Sequence, residues 1–119
     1  MRHILIVDDE QFLAKNLREL LSGTMEWKPS IAYDAKEAIG IFSKAHFDVL
    51  LLDLDLPDMK GIELAQHLTK ISPGVKIIYM SAYPEYIKNL KAAEGNQRSI
   101  LEKPFDFIQL QDILKQIIN

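Results

Sequence analysis

The sequence predicts an α/β fold, a single-domain (βα)5 doubly wound sandwich over residues 1–119 with a five-stranded parallel sheet. Three observations carry that expectation. Short apolar runs alternate with helical-period stretches along the whole chain. The run Val49-Leu50-Leu51-Leu52 is apolar at every position, as expected of a central parallel strand covered on both faces. No linker, repeat or low-complexity tract interrupts the alternation, and right-handed crossovers would then place helices on both sides of the sheet.

Ile4-Leu5-Ile6-Val7 is the first strand. Leu13, Leu17, Leu20 and Leu21 recur at the helical period against Lys15, Arg18 and Glu19, so residues 10–22 read as an amphipathic helix that Gly23 ends. Ser30-Ile31-Ala32-Tyr33 is the second strand, with Trp27 as a packing residue in the connection before it. Asp34 and Glu37 stand at capping-box spacing ahead of Ala38, Phe42 and Ala45, which marks a helix running to about Ala45. The third strand is 49–53. Ile62, Ala65, Leu68 and Ile71 form the next helical stripe after Gly61, and Ser72-Pro73-Gly74 stops it.

Val75 to Met80 is the fourth strand, and Pro84 suits the first turn of a helix containing Ile87 and Leu90. The stretch Ala92 to Arg98 that follows is polar and weakly patterned. Ile100-Leu101 is a short fifth strand, and Leu110, Ile113, Leu114 and Ile117 outline a last helix starting near Asp106.

Bulk properties narrow the function. A net charge of −3 without a lysine or arginine run gives no attraction to nucleic acid or anionic lipid. The chain has no cysteine, so disulfides and thiolate metal sites are excluded. No apolar stretch reaches membrane-spanning length and the N-terminus is no signal peptide, so the expected location is cytoplasmic. His3, His46 and His67 are scattered without ligand spacing.

In a doubly wound sheet the ligand crevice lies beyond the carboxyl ends of the strands, where strand order reverses. Asp8, Asp9, Asp53, Ser81 and Lys103 all fall at such ends. Gathered carboxylates repel one another, by about 4 kcal/mol for two unit charges about 4 Å apart at an effective dielectric of 20. A cation must offset this, and an oxygen-only ligand set favours a hard ion such as Mg2+. A carboxylate can attack phosphorus to form an aspartyl phosphate, with a metal and a lysine neutralising the equatorial oxygens.

The segments Ile4-Leu5-Ile6-Val7-Asp8-Asp9-Glu10, Phe47 to Gly61, Met80-Ser81-Ala82 and Glu102-Lys103-Pro104-Phe105 closely resemble receiver domains of bacterial two-component response regulators, which have a flavodoxin-like architecture. The order and spacing of these motifs span essentially the whole chain. The resemblance implies that Asp53 is the phosphoacceptor and that Asp8 and Asp9 form the Mg2+-binding pair, with Asp9 the direct ligand. It also implies metal coordination by Asp53 and the Asp55 backbone carbonyl, contacts from Ser81 and Lys103 to the phosphoryl group, and a cis Lys103-Pro104 bond.

The implied phosphodonor is a sensor histidine kinase, a phosphotransfer protein or a small acyl phosphate. The implied readout is a repacked fourth helix, fifth strand and fifth helix, presented to an output domain or partner protein; a phosphorylation-dependent homodimer is compatible with it. The domain would catalyse only its own phosphorylation and dephosphorylation. Three departures from the family pattern stand out: Ile100 replaces the usual aromatic switch residue, Lys60 replaces an acid, and Glu94 to Ser99 lacks the common Gly-Ala pattern. Tyr83 and Asp55, two positions after Ser81 and Asp53, occupy places that flank the attacking-water path in the family.

Three other readings share these residues or this fold. Asp53-Leu54-Asp55-Leu56 is similar to the nucleophile motif of haloacid-dehalogenase-type phosphatases, which normally sits on the first strand of a longer chain. A receiver-like interaction module that signals without phosphate is a second. A flavin carrier is a third, opposed by acids standing where a flavin phosphate would sit.

Overall fold

The computed structural model describes residues 1–94 and 99–118, without the side chains of 92–94. The element order is β1 (Arg2–Val7), α1 (Gln11–Ser22), β2 (Trp27–Ala32), α2 (Ala35–Phe42), β3 (Val49–Asp53), α3 (Gly61–Ile71), β4 (Lys76–Ser81), α4 (Pro84–Glu94), β5 (Ser99–Glu102) and α5 (Phe107–Ile118). All strand pairs are parallel, in the order β2-β1-β3-β4-β5. The predicted α/β sandwich is thus the observed one.

Side-chain alternation divides the core into two layers. Leu5, Val7, Leu50, Leu52, Ile77 and Tyr79 face Ala38 and Phe42 of α2, Leu64 and Leu68 of α3, and Leu90 of α4. Ile4, Ile6, Val49, Leu51, Ile78 and Met80 face Ala14, Leu17 and Leu21 of α1 and Leu110 and Leu114 of α5. Both layers bury strand residues completely, which accounts for the unbroken apolar runs in β1 and β3.

Several boundaries move from the expected ones for identifiable reasons. Trp27 is the first residue of β2, paired in register with Arg2, and the strand continues through Pro29. A proline is tolerated there because β2 is an edge strand. Helix α2 ends at Phe42, where the Ser43 hydroxyl donates 2.7 Å to the Ile39 carbonyl and Phe42 turns to stack on Phe47. Leu20 and Ile71, assigned above to apolar stripes, are exposed. Their helices bury Ala14 and Leu64 instead.

Ile100 is half-buried and packs against the α2–α4 layer, opposite Tyr79 of β4. Of the Glu94 to Ser99 segment, residues 95–98 lie outside the described residues. Among the described residues no helix is long and apolar enough to cross a membrane.

Candidate functional site

Strand order reverses between β1 and β3, and the carboxyl ends of these two strands deliver Asp8 and Asp53 side by side. Asp8 is fully buried and Asp53 is 4% exposed. Two carboxylates held so close and so dry need a cation, and Lys103 supplies it. Its ammonium donates 2.8 Å to Asp8 Oδ2, 3.0 Å to Glu10 Oε1 and 3.4 Å to Asp53 Oδ2. The lysine side chain is itself only 10% exposed, and the bond from Lys103 to Pro104 is cis.

Backbone hydrogen bonds set these side chains in place. The Lys103 amide donates 2.8 Å to the Ser81 carbonyl, continuing the β4–β5 ladder one step past the last strand residue. The Asp55 amide donates 3.1 Å to Asp53 Oδ1, and the Glu10 amide donates 2.9 Å to Asp8 Oδ1. Each buried carboxylate therefore has one oxygen held by its own chain and the other turned to Lys103.

The electrostatics follow from this crowding. Burial, with the negative charge of Asp8, pushes the Asp53 carboxyl up to about 7, against the opposing pull of the Asp55 amide and Lys103. Burial works against the Lys103 cation, but its hydrogen bonds to Asp8 and Glu10 and the charge of Asp53 hold its pKa above the ordinary value. A pocket holding a raised carboxyl and a retained cation favours ligands that bring positive charge to the carboxylates or negative charge to the lysine.

The expected site residues are not all brought together. Asp8, Asp53 and Lys103 are in direct contact, and Ser81 is buried at the end of β4. Its hydroxyl donates 3.3 Å to the Tyr83 carbonyl and accepts 3.0 Å from the Tyr83 amide. Asp9 is exposed and outside the contact, whereas Asp55 is exposed but adjoins Asp53 through its backbone amide. Among the described residues the carboxylates whose oxygens lie within 4.8 Å of one another are Asp8, Glu10 and Asp53. Glu10 was legible in the sequence only as the third acid of a run.

That donor set fits a hard divalent ion: three carboxylate oxygens, two from buried groups, carry more negative charge than Lys103 cancels. Of the histidines, His46 lies 3.2 Å from Asp48, which precedes β3 at the amino ends of the strands, and His67 is exposed. Tyr83 is 47% exposed, and its ring centroid is 5.2 Å from that of Tyr86.

Comparison with known proteins agrees with this geometry. The chain is 30% identical to sporulation initiation phosphotransferase F of Bacillus subtilis, over 97% of this chain and 92% of that protein. It is 33% identical to a response regulator receiver protein from Anaeromyxobacter, of which it spans 47%. Among solved structures, the response regulator protein TrrA from Thermotoga maritima, in complex with Mg(2+)-BeF, superposes with a TM-score of 0.84 at 29% identity, covering 98% of this chain and 99% of that one. The family model for the response regulator receiver domain matches residues 4–115, from the first strand to the last helix and through every segment that builds the pocket. On that match the chain belongs to the response regulator receiver domain family, the phosphoryl-accepting switches of two-component signalling.

Proposed function

We propose that Asp53 is the phosphoacceptor, receiving a phosphoryl group from a sensor histidine kinase or a phosphotransfer protein. The observation that carries the reading is the contact of Lys103 with both Asp8 and Asp53, two buried carboxylates at the sheet's reversal point. An Asp53 oxygen attacks phosphorus in line, a P–O bond forms, and the donor's P–N or P–O bond breaks with its electron pair leaving on the donor. The attacking group must be ionised, so whatever adds positive charge beside Asp53 increases the reactive fraction.

Asp8, Asp9, Asp53 and the Asp55 carbonyl are the residues that would hold Mg2+, with Glu10 adjoining them. When bound, the ion neutralises carboxylate repulsion and charge on the phosphoryl oxygens. Lys103 moves from a carboxylate to a phosphoryl oxygen without leaving the pocket. The Ser81 hydroxyl exchanges its bond to the Tyr83 carbonyl for one to the phosphoryl group, which frees the turn into α4 and biases the α4–β5–α5 face read by an output partner.

Asp53 closes β3, the third strand, so the phosphatase alternative lacks its usual first-strand placement. Intact-mass spectrometry after incubation with acetyl phosphate tests the proposal, with and without Mg2+, on the native chain and Asp53→Asn. A single Mg2+-dependent phosphoryl adduct that the variant lacks is expected. A folded native chain that gains no adduct from acetyl phosphate or a kinase would overturn the reading in favour of a nonphosphorylated interaction module.

A further inference from the structure

The turn between β3 and α3 is held at both ends. At its base, Asp55 and Lys60 form an antiparallel bridge, the Gly61 amide donates 3.0 Å to the Leu54 carbonyl, and the Asp55 amide donates to Asp53 Oδ1. At its tip, Asp58 reaches a different element. Its Oδ1 accepts from the Ala35 amide at 2.9 Å and its Oδ2 accepts from the Lys36 amide at 3.1 Å, the first two amides of α2. These bonds hold the Asp58 carboxyl below the ordinary carboxylate range, the Ala35 amide contributing most.

Helix α2 has its own cap as well. Asp34 accepts from the Glu37 amide at 2.8 Å, and Glu37 Oε1 in turn accepts from the Tyr33 amide. Local capping therefore satisfies the third amide of the helix, whereas the first two are satisfied from 23 and 22 residues away. A carboxylate reaching from a tight turn across to a helix fixes the turn as much as it caps the helix.

We propose that Asp58 is a positioning residue for the metal and phosphoryl pocket: by anchoring the turn to α2 it fixes the Asp55 carbonyl, and it couples occupancy of the pocket to the start of α2. This rests on the reading of Asp53 and Asp55 given above. The coupling is reciprocal, so an ion bound in the pocket must also tighten the amides that Asp58 holds.

The test compares two caps of one helix. Mg2+ is titrated calorimetrically into the full native chain, Asp58→Ala, Asp58→Asn and Asp34→Ala, and amide hydrogen exchange at Ala35 and Lys36 is followed with and without Mg2+. Asp58→Ala is expected to weaken Mg2+ binding about 10-fold, as loss of an outer partner of a metal site does, and Asp34→Ala to change it by less than about twofold. Asp58→Asn, which keeps an acceptor, should recover part of the affinity. Mg2+ should slow exchange at Ala35 and Lys36 in the native chain and not in Asp58→Ala.

Native affinity in Asp58→Ala would overturn the inference, and so would equal weakening in Asp34→Ala, which would assign the effect to helix stability. A native chain that binds Mg2+ with the expected Asp58 dependence yet is never phosphorylated would keep the inference and remove the phosphoacceptor reading. A native chain that binds no Mg2+ would remove both.

Discussion

Gly61 lies against the backbone of Asp53. A β-carbon built on Gly61 would stand 2.5 Å from the Asp53 carbonyl oxygen and 2.8 Å from Leu54 Cα. Neither atom belongs to a flexible side chain, so the end of β3 and the start of α3 would have to part. Gly61→Ala should destabilise the fold by about 1–3 kcal/mol, as overpacking does, and slow phosphorylation by displacing Asp53. Urea unfolding and the rate of adduct formation with acetyl phosphate check it. Native values of both would mean that the turn relaxes freely.

The same pair of residues shows what the sequence made legible. Asp8, Asp53 and Lys103 could be assigned to one edge because apolar runs define strand ends and a parallel sheet brings those ends together. Gly61 could be read only as the start of a helix, because the reason for glycine is a close approach to backbone folded beside it. Asp58 was hidden for a similar reason: its partners at 35 and 36 are distant in sequence and carry no side-chain signal. Pro29 obscured the start of β2, since its tolerance depends on the strand lying at the sheet edge. The weight of Glu10 against Asp9 in the carboxylate cluster depends on how the chain turns into α1, which residue type alone does not set.

Asp53 should cost stability when ionised. Its folded pKa is raised from 3.8 to about 7, so the native state holds the proton more tightly than the unfolded chain does. That contribution is fully present below about pH 4 and is lost as pH rises through about 7. In chelator, Asp53→Asn should therefore be more stable than the native chain at pH 8, by on the order of 1–3 kcal/mol, with the difference shrinking towards pH 4. Denaturation midpoints across pH read this directly. A difference independent of pH would dissociate it from Asp53 ionisation.

Lys103 should be required for pocket stability whenever metal is absent. Lys103→Met leaves Asp8, Glu10 and Asp53 without their shared cation. Removing one partner of such a buried cluster costs on the order of 3 kcal/mol. The loss should be largest above pH 7, where Asp53 is ionised, and smaller near pH 4. Mg2+ should restore more stability to the variant than it adds to the native chain. Thermal melts with chelator or with Mg2+ test the sign, and an equal Mg2+ effect on both chains would show that the ion does not replace the lost charge.

Met25, far from the pocket, carries a strain that can be removed. It adopts a left-handed backbone with φ of 62° between α1 and β2, and its side chain is 80% exposed. Asparagine visits that region at lower cost, and no packing is lost with the methionine. Met25→Asn should raise stability by about 0.5 kcal/mol, whereas Met25→Gly should gain less because glycine also frees the unfolded chain. A urea midpoint for Asn at or below that of the native chain would contradict this account.

Tyr83 is the residue through which the lifetime of the phosphorylated state should be adjustable. Its backbone engages the Ser81 hydroxyl, and its carbonyl also accepts from the Tyr86 amide at 3.0 Å, so the residue links the pocket to the first turn of α4. Its ring packs on Tyr86 at the surface, two positions after Ser81, where the family resemblance places one side of the water path. At that place the aromatic pair would narrow the approach of water to the phosphoryl group. Tyr83→Ala should accelerate loss of the phosphoryl group about threefold, a barrier change of less than about 1 kcal/mol, and leave the rate of its gain from acetyl phosphate largely unchanged. Tyr83→Phe keeps the ring and every backbone bond and should behave as the native chain does. The decay of the phosphorylated species, followed by intact mass after removal of donor, separates the cases. An unchanged rate in the alanine variant would make Tyr83 a surface tyrosine without kinetic effect, and faster decay in both variants would point to the hydroxyl rather than the ring.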